Sequence, residues 1–300
     1  HGDPWKVSLH GGHSGAYCDH ATGTLSETLE AAVEFGYHIF GVSEHAPRHG
    51  IHLLYNEEVE MGWDVEKIIQ GFEDYAVEAA RLAKEFDGRL TVLRGFEAEV
   101  APSDEYAELM LDYRERFAFD YMVGSIHFVD DVSIDGPTDD FELAEGMQGG
   151  LEELGIRYYE QVAEMVRALN PEVVGHMDLI RKNAPSQDTM QTPAIRYAAL
   201  QALETIRDHG CILDLNTAGY RKEGYSKGLG VPYPAPWLVQ KARDMGIGFC
   251  FGDDSHAPNE VGAGIEEARS YLQENGVSEL TILTREEGVV VKKTVPLRGV

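Results

Sequence analysis

Short apolar runs rich in β-branched and aromatic residues alternate along the chain with longer stretches of helical periodicity. Seven of these runs predict strands, near residues 6–9, 39–43, 90–96, 121–126, 173–176, 211–215 and 247–252. Helical spacing with caps and stops predicts helices over residues 25–35, 65–86, 104–117, 154–169, 193–209, 236–245 and 260–275. The alternation indicates βα units that build a mainly parallel sheet.

Six of the predicted strands end in, or lead directly to, a residue of a type that binds metals. These residues are His10, His45, Glu97, His127, His176 and His256. An open sheet gathers ligands mainly at one switch point, whereas a barrel gathers them from all around. The pattern therefore favours an α/β fold of the (β/α)7 barrel type, with a metal site at the carboxyl-terminal ends of the strands.

The rest of the chain is predicted to form loops that connect these elements and one small hairpin at the C-terminal end. Residues 44–64 and 128–150 are expected to be long connections, and long loops in compact domains are often functional. Residues 279–283 and 289–291 predict a terminal hairpin. Because no internal repeat or domain boundary is visible, residues 4–300 are expected to form a single domain, with 278–300 as a possible hairpin extension.

The amino-acid composition limits the classes of molecule that the protein is expected to bind. The formal net charge is -27, from 52 acidic against 25 basic residues, and such a field repels DNA, RNA and anionic lipid. A small phosphorylated molecule stays compatible, because bound cations reverse the local field. The three cysteines, Cys18, Cys211 and Cys250, indicate reduced thiols in a cytoplasmic setting. No stretch approaches the roughly 20 apolar residues that span a bilayer, and no signal peptide is seen. The sequence predicts no oligomeric state.

The candidate ligands are numerous enough for more than one ion. They are His10, His13, His20, His45, Glu97, His127, His176, Asp254 and His256. Imidazole and carboxylate suit zinc, iron and manganese, and nine such groups suffice for two or three divalent ions if Glu97 bridges. Adjacent cations activate a water and hold phosphate oxygens, which is the logic of phosphoester hydrolysis.

Other histidines and acids near these positions are interpreted as structural or supporting residues. A single histidine after a strand is usually a hydrogen-bonded structural residue, and this interpretation is kept for His38, His49, His52 and His209. Cys18 is expected to pack or to support a ligand from behind. Three acids, Asp19, Glu44 and Asp178, either orient a neighbouring imidazole or are solvated.

A family resemblance rests on eight segments. They are His10/His13, Cys18-Asp19-His20-Ala21, Ser43-Glu44-His45-Ala46-Pro47, Gly95-Phe96-Glu97-Ala98-Glu99, Gly124-Ser125-Ile126-His127, Gly175-His176-Met177-Asp178-Leu179, Asn216-Thr217-Ala218-Gly219 and Asp254-Ser255-His256-Ala257-Pro258. The set resembles the PHP (polymerase and histidinol phosphatase) superfamily, and most of all its histidinol-phosphate phosphatases. The resemblance implies a distorted (β/α)7 TIM-like barrel with a trinuclear metal centre.

By this resemblance the ligands divide into three sets. The first ion would take His10, His13, Glu97 and Asp254; the second Glu97, His127 and His176; the third His20, His45 and His256. Two motifs depart from the family. The first pair is His-x-x-His where His-x-His is usual, with His20 seven residues after His13, so this loop is expected to follow a different path. In the last motif Asp254 aligns as the ligand, and Asp253 is an added acid.

Substrate groups are sought among the few basic residues. Arg181 and Lys182 follow the fifth strand, and Arg221 and Lys222 follow the sixth. Arginine can clamp a phosphate, and the resemblance favours Arg181; the alternative is that these pairs are surface cations. Asn216 either holds substrate or caps the strand end.

The expected reaction is hydrolysis of a small phosphomonoester, with L-histidinol phosphate converted to L-histidinol and phosphate in histidine biosynthesis. A hydroxide bridging two metal ions would attack phosphorus, with Glu97, Asp254 and His256 as catalytic residues, and Asp254 or a nearby histidine would protonate the leaving alkoxide. The alternatives are a PHP phosphoesterase for a nucleotide or cyclic phosphate, a non-catalytic metal-binding protein, and an amidohydrolase on a related barrel.

Overall fold

The computed structural model describes residues 3–221 and 230–298. Within them the strands are β1 (Val7–Ser8), β2 (Ile39–His45), β3 (Thr91–Ala98), β4 (Tyr121–Gly124), β5 (Phe128–Val129), β6 (Val132–Ser133), β7 (Val173–Val174), β8 (Ile212–Asn216), β9 (Phe249–Gly252), β10 (Glu279–Glu286) and β11 (Val289–Pro296). The α-helices are α1 (Leu25–Phe35), α2 (Asn56–Glu60), α3 (Val65–Glu85), α4 (Tyr106–Arg116), α5 (Thr138–Gln148), α6 (Leu151–Leu169), α7 (Pro193–His209), α8 (Pro236–Asp244) and α9 (Ile265–Glu274).

Seven parallel strands close into a barrel in the order β1-β2-β3-β4-β7-β8-β9. The ring closes where Ser8 of β1 pairs with Phe251 of β9. These are the seven strands that the apolar runs predict, so the barrel prediction is confirmed. Because all seven run the same way, their carboxyl ends lie on one rim, and residues far apart in the chain meet there.

Local capping explains why the helices begin and end where they do. Thr24 accepts a hydrogen bond from the backbone N–H of Glu27, whose side chain accepts one from Thr24 in return, and this capping box opens α1. At the other end Gly36 takes φ 92°, the left-handed conformation that ends the helix. The last predicted helix begins five residues later than expected, because Pro258–Glu260 form a separate 3-10 turn. None of the helices in residues 3–221 and 230–298 is long and apolar enough to cross a bilayer.

The two stretches expected to be long connections contain short helices and strands. Residues 44–64 hold a 3-10 turn and α2, and residues 128–150 hold the β5–β6 hairpin and α5. The expectation of long connections was wrong there, because helices of one to three turns leave little periodicity in the sequence. The terminal hairpin is present and longer than predicted, with eight residues in each of β10 and β11.

The barrel interior depends on a buried tyrosine. Tyr121 is fully buried, and its hydroxyl donates to the carbonyl of Leu9 at 2.7 Å, directly before His10. Replacing Tyr121 with phenylalanine is expected to lower the free energy of unfolding by about 1–3 kcal/mol, because the buried carbonyl loses its partner. Urea denaturation measures this. Tyr197→Phe on α7, where the side chain is 65% exposed, is the matched control and should change little; equal stabilities of the two variants would contradict the prediction.

Candidate metal centre

Glu97 lies at the centre of the barrel rim and touches four histidines. Its Oε2 lies 2.8 Å from His10 Nε2, 3.2 Å from His176 Nε2 and 3.7 Å from His127 Nε2. Its Oε1 lies 2.9 Å from His45 Nδ1. The carboxylate is 1% exposed, and its two oxygens face different histidines. This is the placement that a bridging carboxylate needs.

Asp254 closes the same cluster from the end of β9. Its Oδ1 lies 3.3 Å from His13 Nε2 and 3.6 Å from His10 Nε2. The ring of His13 stacks against His45 and against His256, each at 4.2 Å between centroids. The structure thus brings His13 to the other proposed ligands despite the longer first motif.

Two glycines accommodate the extra residue in that motif. Gly11 and Gly12 take φ of 147° and 76°, which side chains rarely adopt. A Cβ at Gly12 would also lie 3.1 Å from Val42 Cγ1. The backbone then returns to the rim, where His13 N donates to Ser255 O at 3.0 Å. The loop takes the different path that its sequence predicts, while His13 stays in the cluster.

A second group of donors lies beside the first. One donor atom each of Cys18, His20, His45 and His256 lies within 4.8 Å of the other three. The structure therefore gathers all nine predicted ligands around one site, and Cys18 joins them. The sequence interpretation of Cys18 as a packing or supporting residue did not place its sulfur among these donor atoms.

Most of these imidazoles are held from behind by an acceptor. The contacts, all at Nδ1, are His10 with Asp214 Oδ2 at 2.7 Å, and His13 with Glu44 Oε1, His20 with Asp19 Oδ1 and His127 with Glu99 Oε2, each at 3.0 Å. His256 Nδ1 contacts the carbonyl of Asp254 at 2.8 Å. Such contacts fix the ring and leave the other nitrogen with a lone pair for a metal.

The free nitrogens indicate what the site binds. The Nε2 atoms of His45 and His256 are buried and have no hydrogen-bond partner among the described residues, and those of His10 and His13 are buried against the carboxylates of Glu97 and Asp254. Buried polar atoms normally have a partner. Several imidazole nitrogens and two carboxylates lie within a few ångströms of one another. Such a set of donor atoms is suited to divalent cations. The residues present therefore fit a multinuclear metal centre.

The supporting acids divide between those predicted and those missed. Glu44 and Asp19 orient imidazoles, as one of the two interpretations holds. Asp178 does not: its Oδ2 lies 2.5 Å from Arg181 Nε and accepts from Ala235 N at 2.8 Å. Asp214 was missed, although it contacts His10 and also accepts from His176 N at 2.5 Å. Glu99 was missed as well; its spacing of two residues from Glu97 places both on one side of the strand and could have revealed it.

The pKa values of the histidines in the cluster depend strongly on the neighbouring carboxylates. Burial lowers the pKa of His13, but hydrogen bonds and charge from Asp254 and Glu44 outweigh this and raise it to about 10. The same competition raises the pKa of His127 to about 9, with Glu99 and Glu97 as the opposing charges. Without cations, protons balance the carboxylates, so metal binding must displace protons.

Two groups differ from that trend in ways that bear on catalysis. Burial and the positive charges of His13 and His20 hold the pKa of His256 well below its usual range, so its ring is neutral and can ligate. Burial acts to raise the pKa of Asp254, but the charge of His10 and the hydrogen bond from His13 hold it well below its usual range. An ionised Asp254 suits a ligand and does not carry the proton that a leaving alkoxide needs.

Backbone strain coincides with the site. His176 and Asp254 have φ of 25° and 49°, in the left-handed region that side chains disfavour. Each is held there by a hydrogen bond: His176 N donates to Asp214 Oδ1, and Asp254 N donates to His10 O at 2.9 Å. The added acid, Asp253, supports the same turn, since it accepts from Gly262 N at 2.9 Å and from the hydroxyl of Tyr37 at 2.8 Å.

A cavity of about 430 Å³ opens over the cluster. Its lining includes His20, His45, Glu97, His127, His176, Asp254 and His256, together with Lys182, Arg221 and the acids Asp19, Glu57, Asp135 and Glu260. Several predicted metal ligands thus face a space large enough for a small molecule. Both charge signs are present on its wall.

The structure does not bring Arg181 to this cavity. Arg181 is 2% exposed and paired with Asp178, and its guanidinium also donates to Gln187 Oε1 and to Pro232 O. It lies in the 3-10 turn Leu179–Arg181, which directs it inward, so the expected phosphate contact from Arg181 is not seen. The next residue, Lys182, lines the cavity instead.

The other residues predicted to contact substrate differ in where they lie. Arg221 lines the cavity and donates to the carbonyls of Asp253 at 2.7 Å and Asp254 at 2.9 Å. Lys222 lies outside the described residues. Asn216 is fully buried; it donates to Asp214 and Asp254 and accepts from Ala218 N, so it ties the two acids together at the strand end rather than lining the cavity.

The histidines given a structural interpretation lie apart from the cluster. His49 Nε2 lies 2.6 Å from the hydroxyl of Tyr113, and His209 Nδ1 lies 2.9 Å from the carbonyl of Thr205. His38 and His52 are exposed. None of the four is among the residues that line the described cavity.

Asp214 offers a test of the supporting contacts. Asp214→Asn is expected to weaken metal binding about 10–100-fold, because the amide cannot hold His10 in the same tautomer while accepting from His176 N. Competition with a metal-sensitive dye measures the affinity. Asp208→Asn, whose side chain is exposed, serves as the control, and unchanged affinity in both variants would exclude the supporting role.

Comparisons with known proteins agree with this geometry. The family model described as PHP domain matches residues 10–218. A protein of Schizosaccharomyces pombe named probable histidinol-phosphatase is 31% identical, over 95% of this chain and 93% of its own length. One of the same name from Deinococcus radiodurans is 32% identical, over 89% and 94%. The crystal structure of histidinol phosphate phosphatase from Lactococcus lactis, complexed with zinc, L-histidinol and phosphate, has a TM-score of 0.71 at 18% identity, covering 96% of this chain and 99% of that one.

Proposed function

Because the chain belongs to the PHP domain family, we propose that it is a metal-dependent phosphomonoesterase that hydrolyses L-histidinol phosphate to L-histidinol and phosphate. The observation that carries the proposal is the group of buried imidazole nitrogens gathered around Glu97 and Asp254 on the cavity floor, of which those of His45 and His256 have no hydrogen-bond partner among the described residues. The two sequence relatives bear the name of this activity, and the Lactococcus lactis enzyme was solved with the two products and zinc.

The proposed ligand sets follow the contacts at the rim. His10, His13 and Asp254 form one group, Glu97 with His127 and His176 a second, and His20, His45 and His256 a third. Glu97 contacts members of all three groups through its two oxygens. Divalent ions bound there, zinc, manganese or iron, would activate water at neutral pH and neutralise the phosphate oxygens.

The protein's own residues do the positioning. Glu97 and Asp254 supply fixed negative charge in a buried site, where electrostatic interactions are stronger than in water. Neutral His256 presents a lone pair, since its Nδ1 is engaged by the carbonyl of Asp254. The barrel rim holds these groups in place before substrate arrives, which is how preorganised sites stabilise developing charge.

The cavity wall favours a substrate that carries both a phosphate and a cationic part. L-histidinol phosphate has an ammonium group and an imidazole besides its phosphate. Glu57, Asp135 and Glu260 line the cavity and supply negative charge for the cationic end. Tyr55 also lines the cavity, with the guanidinium of Arg48 over its ring at 3.8 Å from the centroid. A nucleotide monophosphate lacks the ammonium group, so these acids would repel more than attract it.

Lys182 is the proposed phosphate contact in place of Arg181. Lys182→Ala is expected to lower kcat/KM about 10–100-fold, because a hydrogen bond to a charged group contributes about 1.5–3 kcal/mol. Phosphate release at varied substrate concentration measures it. Lys241→Ala on the exposed face of α8 is the control. A wild-type kcat/KM in Lys182→Ala would remove Lys182 from the phosphate site.

We further propose a small-molecule substrate and a cytoplasmic setting. The net charge of -27 opposes binding of a nucleic-acid polymer. The three cysteines are free and buried, as is usual in reducing compartments.

A substrate panel tests the proposed function. The zinc-loaded protein is assayed for phosphate release from L-histidinol phosphate and from 3′- and 5′-nucleotide monophosphates. We expect kcat/KM to be at least about 100-fold higher for L-histidinol phosphate, the factor that loss of one charged contact gives. A preference for any nucleotide would shift the proposal to another phosphoesterase on the same barrel.

A further inference from the structure

Cys18 occupies a ligand's position in the third group of donors. Its side chain is 4% exposed, and its Sγ lies within 4.8 Å of one donor atom from each of His20, His45 and His256. We propose that Cys18, as a thiolate, is the fourth protein ligand of the third metal ion, which makes that site a sulfur-and-three-nitrogen zinc site unlike the other two. The inference rests on the metal centre of the proposed function and adds a residue to it.

The separation of sulfur and imidazole is that of two ligands of one ion. Cys18 Sγ lies 3.4 Å from His20 Nδ1 and 3.6 Å from His20 Nε2. A zinc ion takes sulfur at about 2.3 Å and imidazole nitrogen at about 2.0–2.1 Å, so two such ligands at a tetrahedral angle are about 3.6 Å apart. Because Sγ is almost equally far from both nitrogens, the ring of His20, whose side chain is 46% exposed, must turn to direct one nitrogen at an ion that Cys18 also binds.

Two histidines of this group have their Nδ1 atoms engaged by an oxygen. His20 Nδ1 lies 3.0 Å from Asp19 Oδ1, and His256 Nδ1 contacts the Asp254 carbonyl. Each ring thus has its Nε2 left over. The Nε2 atoms of His45 and His256 are buried without a hydrogen-bond partner in the described part of the chain. These unpartnered nitrogens are a second observation, independent of the sulfur, that points to a cation here.

The backbone of the first loop fixes Cys18 in this place. Cys18 N donates to Ser14 O at 2.9 Å, and Thr22 N donates to His256 O at 2.8 Å. The loop segment with Cys18 and His20 is therefore tied directly to the β9 end that carries His256. A segment free to move would leave the sulfur position undefined, whereas this one is held at both sides of the donor group.

Four protein ligands would give the third ion a different character from its neighbours. Sites closed by four protein ligands are typical of structural zinc, whereas catalytic sites keep a position for water. Thiolate favours zinc over manganese, which prefers oxygen ligands. The third ion should accordingly be the most strongly retained, anchoring the first loop and its His13, while the other two ions exchange more readily.

Cobalt substitution provides the test, since cobalt(II) bound to a thiolate absorbs in the near ultraviolet by charge transfer. The full chain is stripped with a chelator and titrated with cobalt(II). We expect the charge-transfer band to saturate at one cobalt per chain, to be lost in Cys18→Ser, and to persist in Cys211→Ser, a buried cysteine outside the donor group. Cys18→Ser should also retain one zinc ion fewer per chain than Cys211→Ser after dialysis.

The outcomes separate this inference from the proposed function. Cobalt bound by the wild-type chain without a charge-transfer band, or a band that survives in Cys18→Ser, would overturn the role of Cys18 even if phosphate release is normal. The band with no hydrolysis of L-histidinol phosphate would support the Cys18 ligand and count against the substrate instead. If Cys18→Ser does not fold, Cys211→Ser and Cys250→Ser decide the point: a band that persists in both is assigned to Cys18, and a band lost from either folded variant overturns the role of Cys18.

Discussion

Replacing Glu97 with glutamine is expected to abolish phosphate release and to lower the metal content of the purified protein. The carboxylate contacts His10, His127 and His176 through one oxygen and His45 through the other. Glutamine has nearly the same shape but only one oxygen, and its amide nitrogen would donate hydrogens where a cation should bind. The bridge between the ligand groups would therefore be lost while the packing of β3 is kept.

The expected loss of kcat/KM in Glu97→Gln is larger than the loss expected when any supporting residue is replaced. Removing a partner behind a ligand costs about 10–100-fold in metal affinity or activity, so loss of the shared ligand should cost about 1000-fold or more in kcat/KM. Phosphate release and elemental analysis measure the two effects. Glu142→Gln on α5, which is exposed and is not among the residues that line the described cavity, is the control. Normal activity with normal metal content in Glu97→Gln would end the case for a Glu97-centred site.

Asp254→Asn is expected to reduce kcat/KM by a comparable factor, about 1000-fold, through the loss of an ionised ligand. Asparagine tolerates the left-handed backbone of this position, where φ is 49°, better than most residues. The substitution therefore removes charge with little added strain. The amide would also face His13 Nε2 and His10 Nε2, which are 3.3 and 3.6 Å from the present carboxylate.

The neighbouring acid provides a matched control for Asp254. Asp253 is fully buried but accepts from Tyr37 and the backbone of Ser255 and Gly262, so Asp253→Asn should lower stability and leave metal content unchanged. Kinetics, metal content and urea denaturation of the two variants separate the roles. Metal loss in Asp253→Asn with a normal Asp254→Asn would show that the two acids have been assigned in the wrong order.

The barrel could be predicted from the sequence because its strands are short apolar runs, and six of the seven end in or lead to a residue of a type that binds metals. Glu97 and His127 stand at such ends, and parallel strands bring their ends to one rim. The loop that carries His13 was predicted to deviate, and its two glycines show how. Short elements such as α2 and α5 were missed because their periodicity is too brief to separate them from polar loops.

The contact behind His10 could not be predicted, because it joins two strands that are distant in sequence. Asp214 on β8 orients His10 at the end of β1, a pairing that only barrel closure creates. Arg181 and Lys182 are adjacent, and sequence alone does not decide which of them faces the cavity; the 3-10 turn gives that place to Lys182. Cys18 was interpreted as a packing or supporting residue, because its nearness to His256 depends on the folded first loop.

One measurement tests the central claim most directly: phosphate release from L-histidinol phosphate by a single preparation as purified with zinc, after removal of metal by a chelator, and after zinc is returned. The account predicts turnover in the first state, none in the second and recovery in the third, with at least two zinc ions per chain when active. Turnover that survives complete metal removal, or none with the site fully loaded, would contradict it.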